Sequence, residues 1–160
     1  FRAYNSATIR IAELTGMAPT KIEAAEISQA FSTGAVESMI TSPTTGKNSK
    51  IWENGVGYFY DIAAWFPKNM VIVNKDAWNK LDSATQKLIM SEAAVAEKKG
   101  WELSKKGNVA DKKALADAGM KVGKVNSALE KHFQKVGATM ADEWKAKAGS
   151  RGASVLAAYK

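Results

Sequence analysis

Apolar positions recur at helical spacing through the first third of the chain and are interrupted by short β-prone runs. A helix is expected over residues 7–15, with Asn5 and Ser6 able to cap its start and Gly16 placed to end it. A polar turn follows, then Lys21-Ile22-Glu23. A second helix carries Ile27, Ala30 and Phe31 on one face and closes at Gly34. Residues 36–40 read as a brief strand ending at Thr41. Ser42 and Pro43 then open a third helix, a capping serine before a first-turn proline, which runs to about residue 54 with Gly55 to stop it. With a first strand ending at Arg2, this alternation of strand and helix predicts an α/β fold around a parallel sheet.

Beyond Gly57 the texture changes. Residues 58–66 are rich in aromatics and read as one long strand, closed by residues 67–69, and residues 70–73 read as a second β run. Asn74 caps a short helix containing Trp78. Ser83 and Gln86 form a capping box opening a helix whose stripe is Ile89, Ala93, Ala96, Gly100 and Leu103 and which runs toward Ala118, ended by Gly119. A strand is expected over residues 120–125. Ser127 and Glu130 form a second box, opening a helix striped by Leu129, Phe133, Val136, Met140 and Trp144. Gly149 and Gly152 interrupt it before a last helical segment at residues 153–159. The change near Pro67 marks the expected lobe boundary, with residues 66–69 as a hinge.

Charge alters this picture only in part. The chain of 160 residues carries a net charge of +7, yet residues 1–67 hold 5 Lys/Arg against 6 Asp/Glu and residues 68–160 hold 18 against 10. The excess lies in C-terminal lysine doublets interleaved with acids, the composition of a solvated helix face. The rival expectation is a basic helical module that binds nucleic acid or another anionic surface. The apolar run at residues 62–66 is far below the roughly 20 residues of a membrane helix, so a soluble chain is expected. Cysteine is absent, which excludes disulfide and thiolate chemistry and is compatible with an oxidising compartment. No secretory signal is read, and the opening on Phe1 rather than an initiator Met leads to the expectation of a true start elsewhere.

The residues offer little for catalysis. Gly46-Lys47-Asn48-Ser49 is not a phosphate loop, because Thr41 stands where its first glycine belongs and Asn48 follows the lysine. The single histidine, His132, sits one residue off an apolar stripe without an acidic helper, and no carboxylate pair stands out. Neither an enzyme, a metal site nor a cofactor is expected. An anion site is. In parallel sheets ligands collect beyond the carboxyl ends of the strands, and two such ends, at Arg2 and at Thr41-Ser42, run straight into helix N-termini. Arg2 can hold a carboxylate with two parallel hydrogen bonds. Ser42 also fits as a plain cap of its own helix. Trp52, Trp65 and Phe66 fit either a pocket wall or the core.

The segments Phe1-Arg2, Asn5-Ser6-Ala7-Thr8, Gly16-Met17-Ala18-Pro19, residues 25–37, and Tyr58-Phe59-Tyr60-Asp61 through Trp65-Phe66-Pro67-Lys68-Asn69 together resemble the solute-binding proteins of tripartite ATP-independent periplasmic (TRAP) transporters, the DctP family. The resemblance runs through essentially the whole chain. It implies a periplasmic-binding-protein-like two-lobe fold of about twice this length, of which this chain is the C-terminal half. Residues 1–67 then belong to the second lobe, residues 68–108 return to the first lobe as strand, short helix and long helix, and residues 109–160 complete the second lobe. It further implies a periplasmic receptor in which Arg2 clamps the carboxylate of a small organic acid, delivered to membrane subunits. Asn5 matches a position often polar in the site. Where the family commonly has an asparagine after the third strand, this chain has Thr41-Ser42. The resulting site set is Arg2, Asn5, Thr41, Ser42, Trp65 and Phe66.

Overall fold

The computed structural model describes residues 1–64 and 69–158. Strand β1 (Arg2–Ala3) pairs in parallel with β2 (Thr20–Lys21), Arg2 opposite Thr20 and Ala3 opposite Lys21. The carbonyls of Phe1 and Ala3 accept from the amides of Thr20 and Ile22, while the Arg2 amide turns the other way and donates to the Ser38 carbonyl at 2.8 Å. β1 is therefore the middle strand, since alternate backbone groups of one strand face opposite neighbours. The strand expected at residues 36–40 shrinks to one parallel bridge, Met39 beside Arg2. Val36 turns inward to 3% exposure instead of pairing, so only one residue is left to meet β1.

Helix α1 (Ser6–Leu14) starts where expected. Asn5 accepts from the Thr8 amide and Thr8 reciprocates toward the Asn5 amide, a capping box that satisfies two otherwise free donors. A 3-10 turn, Ala24–Glu26, leads into α2 (Ile27–Ser32), whose Ile27, Ala30 and Phe31 are all buried. Helix α3 (Pro43–Asn48) is shorter than expected. Lys50 adopts a left-handed conformation at φ 45°, the helix breaks, and a 3-10 turn at Ile51–Asn54 follows. The break delivers Ile51 to the core at 2% exposure, a burial that a continuous helix would not provide at that position.

The long aromatic strand is also cut back. Strand β3 (Tyr58–Tyr60) pairs in parallel with β4 (Lys121–Gly123), which offers only three partner residues. Past one more bond, from the Asp61 amide to the Gly123 carbonyl, Ala63 turns out of line at φ 46°. Residues 70–73 are not a strand. Their backbone has no ladder partner among the described residues, and Met70, Val71 and Ile72 are at least 77% exposed. Helix α4 (Lys75–Asn79) is capped by Asn74 as expected. Helix α5 (Ser83–Asp117) is capped by Asp82 rather than Ser83, because the aspartate reaches the Thr85 amide; the Gln86 side-chain NH2 instead donates to the Trp78 and Leu81 carbonyls. Helix α6 (Ser127–Ala158) is likewise capped one residue early, by Asn126, and kinks at Gly149.

The core gathers Ile22, Ile27, Ala30, Phe31, Val36, Ile51, Leu115 and Met120, with Trp52 and Phe59 packed against it. Trp52 is thus core material. Helix α5 reaches this core only through its last turns, where Asp111 and Leu115 are buried. The stripe expected higher on the helix is uncovered: Ile89 is 41% and Leu103 57% exposed, and Leu88, Met90, Val95 and Trp101 add to the bare apolar surface. His132 is exposed.

Candidate ligand-binding site

Arg2 is charged and nonetheless 97% removed from solvent, being only 3% exposed. Its Nε donates to the carbonyl of Ile22 at 2.9 Å. Ile22 is the first residue beyond β2, so the side chain has crossed from the middle strand to the carboxyl end of its neighbour. The guanidinium carbon lies 4.7 Å from the ring centre of Tyr4, a cation over an aromatic face. Burial pulls the guanidinium below the usual arginine pKa, opposed by Tyr4 and Glu23. It still holds its proton at any ordinary pH. Among the described residues neither terminal nitrogen has a protein acceptor. Buried charged donors without partners are costly, and four N–H groups are left in the planar fork that fits a carboxylate.

The other expected site residues divide. Because the Arg2–Met39 bridge is parallel, both chains leave it in the same direction, Tyr4 and Asn5 leading into α1 and Thr41 and Ser42 into α3. Asn5 Oδ1 is occupied, accepting from the Thr8 amide at 2.9 Å and its hydroxyl at 3.0 Å, which leaves the Asn5 side-chain NH2 as a donor. Thr41 is half-buried and its hydroxyl makes no hydrogen bond among the described residues. Ser42 caps α3: its oxygen accepts from the Thr45 amide and donates to the Thr45 hydroxyl, both at 3.1 Å. Trp65 and Phe66 lie outside the described residues.

Two neighbours were passed over in the sequence. Tyr4 lies two residues beyond Arg2, the spacing that puts strand side chains on one face, so the alternation rule alone points to it. Asp111 carries no such signal. It is 5% exposed and joins α5 to α3 through Thr44 and Lys47. A separate cavity of about 210 Å3 lies between α1 and α6, lined by Ile11, Ala64, Phe133, Val136, Gly137 and Met140; it holds none of the expected site residues and no charged group. Among the described residues no cluster of His, Cys, Asp or Glu could hold a metal ion, and no helix is long and apolar enough to cross a membrane.

Residues 1–147 match the family described as bacterial extracellular solute-binding protein, family 7, DctP. No curated protein sequence matches significantly. Among solved structures, the chain is 41% identical to DctP6, a Bordetella pertussis extracytoplasmic solute receptor binding pyroglutamic acid, with a TM-score of 0.95, covering 99% of this chain and 52% of that one. It is 39% identical to DctP7 of the same organism, which also binds pyroglutamic acid, with the same TM-score and coverage. A marine metagenome TRAP solute-binding protein specific for pyroglutamate is 35% identical, with a TM-score of 0.94 and coverage of 99% and 52%. The chain spans about half the length of these relatives. Its fold is α/β and represents half of a periplasmic-binding-protein-like, two-lobe architecture. The chain belongs to the DctP family of TRAP-type extracytoplasmic solute-binding proteins.

Proposed function

We propose that this chain is the C-terminal half of a periplasmic TRAP receptor that binds pyroglutamate, or a closely similar small cyclic acid, through an Arg2–carboxylate clamp, and hands it to the membrane subunits of an ion-gradient-driven importer. The observation that carries the reading is the buried Arg2 guanidinium, whose terminal nitrogens have no acceptor among the described residues, at the carboxyl edge of a parallel sheet. A bound carboxylate supplies the missing acceptors. Tyr4 supports the cation from one face, and the Asn5 side-chain NH2 and the Thr41 hydroxyl are donors left for the remaining polar atoms. Three relatives at 35–41% identity that bind pyroglutamate narrow the acid.

Residues 1–67 and 109–160 form the second lobe in this reading, and residues 68–108 belong to the first. The bare residues 70–73 and the uncovered stripe of α5 fit that division, because both are surfaces a missing lobe would bury. Trp65 and Phe66 would contribute pocket wall near the crossing. The reading is tested by titrating the full-length receptor calorimetrically with pyroglutamate, proline, glutamate, malonate and 2-pyrrolidinone. Saturable binding of pyroglutamate, with none of the uncharged pyrrolidinone, is expected. Absence of binding to every carboxylate overturns the reading.

A further inference from the structure

Helix α3 is six residues long, too short to hold its own position in water, and it follows directly on Thr41 and Ser42. Its position comes from α5. Gly46 is buried between Ile51 and α5: a Cβ there would stand 3.1 Å from Ile51 Cδ1, close enough to push that side chain aside, and 3.8 Å from Leu115 Cδ2, an ordinary packing distance. Beside this apolar contact lies a polar one. Asp111 Oδ2 accepts from the Thr44 hydroxyl at 2.6 Å, and Oδ1 accepts from Lys47 Nζ at 2.5 Å. Thr44 and Lys47 are one helical turn apart, so the carboxylate grips both ends of α3. Above Asp111 the helix runs for 28 residues, Ser83 to Ala110, with none of them buried.

We propose that Asp111 is a positioning residue of the ligand site: by gripping Thr44 and Lys47 it fixes the segment 40–42, which follows the Met39 bridge to Arg2. The proposal deepens the carboxylate-binding reading and rests on it. Asp111 is buried and Lys47 is half-exposed; removing the aspartate leaves its partners uncompensated, whereas replacing both charges by apolar groups often restores stability without restoring geometry. Stability and positioning are therefore separable.

The experiment uses the full-length receptor, with pyroglutamate as probe, at a temperature well below every melting transition so that each variant is folded. Asp111→Asn, Thr44→Val and the pair Lys47→Met with Asp111→Leu are compared with the parent. All three are expected to bind about tenfold more weakly, and the double variant is expected to melt near the parent temperature while keeping its weakened affinity. Thr44→Val removes a single hydroxyl and serves if Asp111→Asn does not fold. Affinities within twofold of the parent in every folded variant overturn the proposal, as does a double variant that regains both stability and affinity. Arg2→Ala serves as the control: if it too binds normally, the carboxylate-clamp reading has failed, whereas loss of binding there with normal Asp111 and Thr44 variants defeats the positioning role alone.

Discussion

The Nε of Arg2 donates to the carbonyl of Ile22 at 2.9 Å, tying a residue of the middle strand to the first residue beyond its neighbour. That bond uses the nitrogen nearest the backbone and leaves both terminal nitrogens without an acceptor among the described residues. A lysine has no second group with which to make the same anchor.

The ring of Tyr4 beneath the guanidinium adds a cation–π contact of about 0.5–2 kcal/mol, the larger figure applying when the site is desolvated. Tyr4→Leu is expected to weaken carboxylate binding about twofold to thirtyfold. Tyr4→Phe keeps the ring face and is expected to stay within about twofold. Calorimetric titration checks both, and equal affinities for Leu and Phe variants remove Tyr4 from the site.

Leu115 is fully buried where α5 meets α3 and the 3-10 turn after it. Leu115→Ala is expected to lower unfolding free energy by about 2–5 kcal/mol, the range for cavity-forming truncations of buried leucine. Urea unfolding followed by tryptophan fluorescence measures it. A loss below 1 kcal/mol would mean that this part of the core collapses to fill the space.

Among the described residues acid stability depends on three carboxylates, one of which, Asp82, is held low by its hydrogen bonds from Thr85 at the start of α5. Hydrogen bonding from Lys47, then from Thr44, holds Asp111 below the usual carboxylate range, and Arg10 does the same for Glu143 by gripping both its oxygens from α1. A lowered folded pKa means stability that is present above the unfolded value of about 3.9–4.3 and lost as pH falls through the folded value. Asp111→Asn is therefore expected to flatten the dependence of melting temperature on pH below about pH 4, while the dependence due to Asp82 and Glu143 remains. Melting curves from pH 6 to pH 2 provide the check. Parallel curves for parent and variant contradict it.

Leu88, Met90, Val95, Trp101 and Leu103 lie bare along α5, and Met70, Val71 and Ile72 ahead of α4 are barer still. The 160-residue chain by itself is expected to bind a hydrophobic dye and to self-associate, and the full-length receptor to do neither. Dye fluorescence and sedimentation distinguish the two. A monomeric, dye-silent fragment would show that this face needs no cover.

Much of the first third was legible because its signals are local. Asn5, Ser42 and Gly16 mark caps and stops through their own backbone chemistry, and Ile27, Ala30 and Phe31 are buried as their spacing required. Length of pairing was not legible. How far Tyr58 continues as strand depends on β4, more than 60 residues away and only three residues long. Helix α3 ends earlier than its sequence predicts because nothing local announces a left-handed Lys50, after which Ile51 enters the core. The capping boxes slipped by one residue since Asp82 and Asn126 compete with the adjacent serines and reach the same amides. In the proposed site, Arg2 is a candidate that the sequence already offers. Asp111 is not, because its partners lie 64 and 67 residues away and only the folded chain brings them together.

The Arg2–carboxylate clamp is tested by titrating pyroglutamate into the full-length receptor and its Arg2→Ala and Arg2→Lys variants at fixed pH and at two salt concentrations. Affinity is expected to fall by about one to two decades in both variants, from the loss of charged hydrogen bonds worth roughly 1.5–3 kcal/mol, with little change in the parent's affinity between about 50 and 200 mM salt because the cation is buried. Undiminished affinity in Arg2→Ala would contradict the clamp.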